Sequence, residues 1–136
     1  MKFEFNMLIG IFGMIASFLW GGFPIGIQVL IYFALIDYIS GLYSAFIQKK
    51  LSSSVGFKGI FKKIFMFLIC SLAYYIDTLT QAGGVLFNVV VFWYLGNEAL
   101  SIIENAIKSG VKVPEKLKNA IVILMDNDNE EVQHGD

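Results

Sequence analysis

The sequence predicts an all-α integral membrane protein of four transmembrane helices, with three as the alternative, plus a short cytoplasmic amphipathic helix. Three observations carry this reading. The first is composition: of 136 residues, 57% are hydrophobic and only 15% are charged, whereas a soluble domain carries about 25% charged residues. The second is distribution. The charges gather at residues 2–4, 49–63, 108–118 and 126–136 and leave long apolar runs between them; about 20 apolar residues at 1.5 Å each cross a hydrocarbon core of about 30 Å. The third is the placing of the basic residues between those runs, which is the pattern of cytoplasmic loops.

Composition also excludes several classes. The net charge is −1, and the lysines lie where membrane topology puts them, so nothing points to nucleic acid. Cys70 is the single cysteine, so no disulfide framework forms within the chain; it reads as a small buried thiol. Residues 1–20 have an apolar centre, but only Lys2 is basic at the start and Gly21, Gly22, Phe23 and Pro24 make a poor cleavage site, so a retained first span is expected rather than a signal peptide.

Residues 3–23 form the first apolar run. Gly10, Gly13, Ser17 and Gly21 lie close to one face. Small residues at that spacing let a second helix approach in lipid, although glycine is also simply common in membrane helices. Residues 21–24 make a tight turn, and Pro24 suits the start of the next helix. Residues 25–47 are the second run. Within it Asp37, Gly41, Ser44 and Gln48 share one helical face. An acid inside a span costs about 2.5–3.5 kcal/mol on insertion scales and is tolerated when it faces protein or water. Asp37 therefore reads either as a structural acid paired within the bundle or as a pore-facing, gating group.

Residues 49–59 are expected to be a turn-prone basic loop, with Ser52, Ser53, Ser54, Gly56 and Gly59 in it. Lys49, Lys50, Lys58, Lys62 and Lys63 are half of the basic residues and set the topology; their attraction to anionic headgroups is an added effect. The third span is expected over residues 60–79, with Lys62 and Lys63 snorkelling at its start, Asp77 at its far end and a short turn to Gly84. The fourth begins at Val85 and leaves the membrane with a polar stripe of Asn97, Ser101, Glu104 and Lys108. Residues 114–125 are too few to span and read as an amphipathic helix on the inner leaflet. Residues 126–136 are polar and acidic and are expected to be disordered; His134, the single histidine, reads as a solvated tail residue.

Five lysines in 49–63 and four in 108–118 place both segments in the cytoplasm, with two spans between them and the C-terminus inside. Residues 1–108 are then a transmembrane helical domain, and residues 109–136 a cytoplasmic helix and tail.

No Ser/His/Asp set, metal-ligand spacing or phosphate loop is present, so no catalysis and no cofactor are expected. Asp37, Asp77, Glu98 and Glu104 lie in or beside spans without a recurring acid motif and are the pore or gating candidates. Four short spans do not readily supply the inverted repeats of a secondary transporter. Self-association in the membrane suits the small-residue faces and one-sided polar stripes, and a channel or transporter subunit with a partner chain is the alternative.

Two stretches also carry a family resemblance. DYISGLYSAFIQKKLSSSVGFKGIFKK and NEALSIIENAIKSGVKVPEKLKNAI resemble the phage-lysis and toxin-secretion holin family. Asp37, Gly41, Lys50, Ser53, Gly56, Gly59 and Lys63 carry the first motif; Asn97, Glu98, Ser101, Glu104, Asn105, Pro114 and Leu117 carry the second. The resemblance implies a bacterial cell-membrane protein that associates with copies of itself in lipid and opens large lesions. These would let an endolysin reach the wall or a large toxin leave the cell.

Overall fold

The structure, a computed structural model, describes residues 1–133. His134 lies outside the described residues. Five helices follow one another: α1 (Lys2–Trp20), α2 (Ile25–Ile47), α3 (Ser53–Thr80), α4 (Val85–Lys108) and α5 (Glu115–Gln133). The first four are long and apolar enough to cross a membrane, so the protein is an all-helical multi-pass membrane protein.

Two boundaries differ from the sequence reading. α3 starts at Ser53, not near residue 60. The Ser52 hydroxyl accepts the Val55 N–H at 3.2 Å, a serine N-cap that satisfies one of the free donors of the first turn. The basic loop thus shrinks to a turn around residues 48–52, and Lys58, Lys62 and Lys63 stand on a helix. α5 continues to Gln133, through residues 126–133 whose composition suggested disorder. Extending an existing helix adds one hydrogen bond per residue fixed and needs no new nucleus.

α2, α3 and α4 form the centre, and α2 against α4 is the largest interface. These two run parallel: Gly26 meets Val91, and Gly41 meets Asn105. A Cβ on Gly26 would stand 3.0 Å from the Val91 side chain, so glycine sets the closeness of that crossing, as small residues do between helices in lipid. α3 runs against both, and Ile27, Leu30, Ala34, Met66, Cys70, Phe87 and Val91 are buried between the three. The bundle has a glycine end, with turns 21–24 and 81–84, and a basic end, with turns 48–52 and 109–114.

α1 is held differently. Residues 1–15 are all exposed, and the helix packs on α3 through its last turn, where Ala16 and Trp20 are buried. The carbonyls of a helix's last turn have no partner within the helix. Here Ser17 O accepts the Gly21 N–H at 2.9 Å, Phe18 O accepts the Tyr75 hydroxyl, and Leu19 O accepts the Ser71 hydroxyl at 2.7 Å. The Trp20 indole N–H donates back to Phe67 O at 3.3 Å. α3 side chains therefore cap α1. Of the small-residue face, Gly10 and Gly13 have nothing within 4 Å of an added Cβ and Ser17 is exposed. Only Gly21 meets another helix: it lies at φ 68°, and a Cβ there would overlap the Tyr74 hydroxyl.

Candidate functional site

Three charged side chains meet in the centre of the bundle. Asp37 lies ten residues before the end of α2 at Ile47, Lys63 ten residues after the start of α3 at Ser53, and Glu98 ten residues before the end of α4 at Lys108. Ten helical residues are about 15 Å, so all three reach the same depth from the basic end. Lys63 Nζ donates to Asp37 Oδ2 at 2.6 Å and to Glu98 Oε2 at 2.6 Å. The three side chains are only 12–17% exposed. One ammonium thus ties α3 to α2 and α4 at once, and the formal sum of the cluster is −1.

Asn105 completes the Asp37 side. Its Nδ2 lies 3.0 Å from Asp37 Oδ1, 3.2 Å from Asp37 O and 3.0 Å from Ser40 Oγ. The Ser40 hydroxyl donates to Asp37 O at 3.2 Å. Both Asp37 oxygens therefore have donors. Gly41, one turn on, lies beside the amide: a Cβ there would stand in ordinary contact, 3.5 Å from Asn105 Nδ2. Ser44, a further turn along, is buried. Of the polar face of α2 read from the sequence, Asp37 and Gly41 thus meet α4, Ser44 is buried and Gln48 is exposed.

A cleft of about 1080 Å³ opens beside the cluster, between the first half of α3 and the α2–α4 pair. Phe57, Phe61 and Phe65 line one wall, and Asn97, Ser101 and Glu98 another. Near its mouth Tyr38 of α2 packs on α3. The Tyr38 hydroxyl lies 3.5 Å from Gly56 O, and a Cβ on Gly59 would come within 3.3 Å of the ring. Two glycines one helical turn apart make the seat for this ring.

The remaining candidates fall elsewhere. Asp77 is buried and caps α4: the Leu86 N–H donates to its Oδ1 at 3.1 Å and the Phe87 N–H to its Oδ2 at 2.6 Å. Gly84 at the N-cap has no side chain to do this; the carboxylate also complements the positive end of the helix dipole. Glu104 is exposed, away from the cluster. Lys49 and Lys50 lie in the turn and Lys58 and Lys62 are exposed on α3, but Lys63 points inward instead of snorkelling. Sequence reasoning missed that role because Lys63 follows Lys62 in a basic stretch. A signal was present: Gly56, Gly59, Lys63, Met66, Cys70, Ala73 and Asp77 repeat at alternating spacings of three and four, so Lys63 lies on the inward stripe of α3. Among the described residues no group of three or more His, Cys, Asp or Glu is arranged to hold a metal ion.

The fold and this cluster define a class: a small multi-pass helical membrane protein with a charged, hydrogen-bonded seam inside otherwise apolar helices. Residues 14–126 match the bacteriophage holin family, and the chain belongs to that family. It is 42% identical over 123 residues to an uncharacterised protein of Listeria innocua, covering 89% of this chain and 88% of that one. An uncharacterised protein of Listeria monocytogenes is 42% identical over 113 residues, 83% of this chain and 81% of the relative. A protein of Bacillus phage phi105 described as a probable holin is 36% identical over 103 residues, 75% of this chain and 76% of the relative. No solved structure matches the chain.

Proposed function

We propose that this protein acts as a holin: copies associate in the bacterial cytoplasmic membrane and open lesions through which a folded protein, an endolysin or a large toxin, leaves the cytoplasm. The observation that carries the reading, beside family membership, is the polar seam. Asp37, Lys63, Glu98, Asn97, Ser101 and Asn105 lie inside helices whose outer faces are apolar. Polar groups at membrane depth are costly unless they face protein or water, and a seam that satisfies itself within one copy supplies the lining of an aqueous opening once copies rearrange. The apolar face of α1 at Gly10 and Gly13, free within the chain, is the contact between copies in this account. The basic end with its lysines and α5 face the cytoplasm, and α5, with Leu117, Val122, Ile123 and Leu124 exposed, lies on the inner leaflet.

The test is expression of the protein alone in bacteria. The expected result is abrupt growth arrest with a cytoplasmic enzyme in the medium. Tolerated expression with flux of small solutes only would favour a channel or transporter subunit instead.

A further inference from the structure

The first half of α3 is held to the bundle in an unusual way. From Ser53 to Phe65 no residue is buried. The packed stripe of α3 begins at Met66 and continues through Cys70, Ala73 and Asp77. The cleft of about 1080 Å³ separates the earlier half from α2 and α4. What bridges that gap is narrow: the Lys63 ion pairs with Asp37 and Glu98, and the Tyr38 ring on Gly56 and Gly59. A helix packed at one end and standing off at the other is built to tilt as a rigid rod about its packed end.

We propose that α3 is a tilting arm latched by Lys63. In the latched state Lys63 closes the cluster, and Asn97, Ser101 and Asn105 face only the cleft beneath α3. When the latch opens, the basic end of α3 swings away from α2 and α4, the cleft widens, and that polar face of α4 becomes available to a neighbouring copy. This rests on the lesion reading for its consequence, but not for the movement itself. The charge balance makes the latch sensitive. A single ammonium serves two carboxylates, so its removal leaves two uncompensated acids at the same depth, which are relieved when water enters in place of the first half of α3. Core contacts at Met66–Asp77 and the Asp77 cap on α4 lie beyond the cluster and hold the far end in place.

The movement is measured by pulsed electron–electron distance spectroscopy on the full chain in lipid nanodiscs. Spin labels go on Ile60→Cys and Ile107→Cys, exposed positions on α3 and α4 outside the cleft, in a Cys70→Ala background. Lys63→Met is expected to lengthen and broaden the separation by about one helical pitch, ~5 Å. Lys63→Glu combined with Glu98→Lys, which restores an opposite-charge pair across α3 and α4, is expected to return it toward the starting value. An unchanged separation in Lys63→Met overturns the arm. So does an equally long separation in the exchanged variant, because the opening would then not follow charge pairing. Leakage from cells expressing the same variants reads the lesion separately: a separation that opens without any protein leakage leaves the arm standing and counts against the holin reading.

Discussion

Lys63 of α3 and Glu98 of α4 are 35 residues apart in the chain and 2.6 Å apart in the fold, while the same ammonium reaches Asp37 of α2 at 2.6 Å. Two acids sharing one base respond to mutation as a unit. Asp37→Asn or Glu98→Gln alone leaves Lys63 one carboxylate and should cost about 1 kcal/mol, the worth of a hydrogen bond. Both together strand the ammonium among neutral groups and should cost about 3–5 kcal/mol, more than the two single changes summed. Unfolding in mixed micelles measures this, and additivity of the two changes would show that the three charges are not coupled.

Asp37 also serves Asn105. Asp37→Asn keeps a side-chain acceptor oxygen in the cluster, whereas Asp37→Leu removes it, leaves the Asn105 amide only the Asp37 carbonyl and Ser40 Oγ, and sets an apolar chain against the Lys63 ammonium. The leucine variant should therefore be the less stable by about 1–3 kcal/mol. If charge matters to opening, Asp37→Asn alone should shift the onset of leakage at equal protein level. Normal stability and timing in both variants would make Asp37 an incidental acid.

Asp77 is a cap, and its substitution should act on the α3–α4 hairpin rather than on any opening. Asp77→Ala frees the Leu86 and Phe87 N–H groups and should cost about 1–2 kcal/mol, with Asp77→Asn in between. An unchanged stability in Asp77→Ala would remove the cap from the account.

Gly21 combines two demands, a left-handed backbone at φ 68° and contact with the Tyr74 hydroxyl. Gly21→Ala should loosen α1 from α3 at a cost of at least about 1 kcal/mol, from the left-handed backbone alone. Adding Tyr74→Ala should relieve the overlap but not the backbone strain, so rescue should be partial. Proteolysis within residues 1–20 reports the loosening.

These sites show which parts of the fold are legible from a single chain. The four apolar runs, their turns and the polar face at Asp37, Gly41 and Ser44 follow from composition and helical period, because a helix in lipid must satisfy its backbone internally. That Asp37 is paired within the bundle was one of its two readings, but that Lys63 is the partner was not legible, since it lies 26 residues away on another helix and side-chain pairing is a tertiary fact. Asp77 illustrates the same limit: it reads as an acid at a span's end, but its role as a cap depends on Gly84 having no side chain of its own. The start of α3 at Ser53 was legible in part, because Ser52 is a good N-cap; the serines and glycines pointed more strongly to a loop, and the glycines are instead where Tyr38 packs.

Topology has its own test. With Cys70 replaced by serine, Ser53→Cys sits exposed at the start of α3 and should resist a membrane-impermeant thiol reagent in intact cells, then react once lesions open. Ready labelling before any leakage would put the lysine-rich turn outside and invert the arrangement.

The most direct measurement of the lesion account uses purified protein in liposomes loaded with dextrans of graded size and with a folded enzyme. The account predicts that, above a threshold protein-to-lipid ratio, the enzyme and the largest dextran leave together with the smallest. Release confined to small solutes at every ratio, with the enzyme retained, would contradict it.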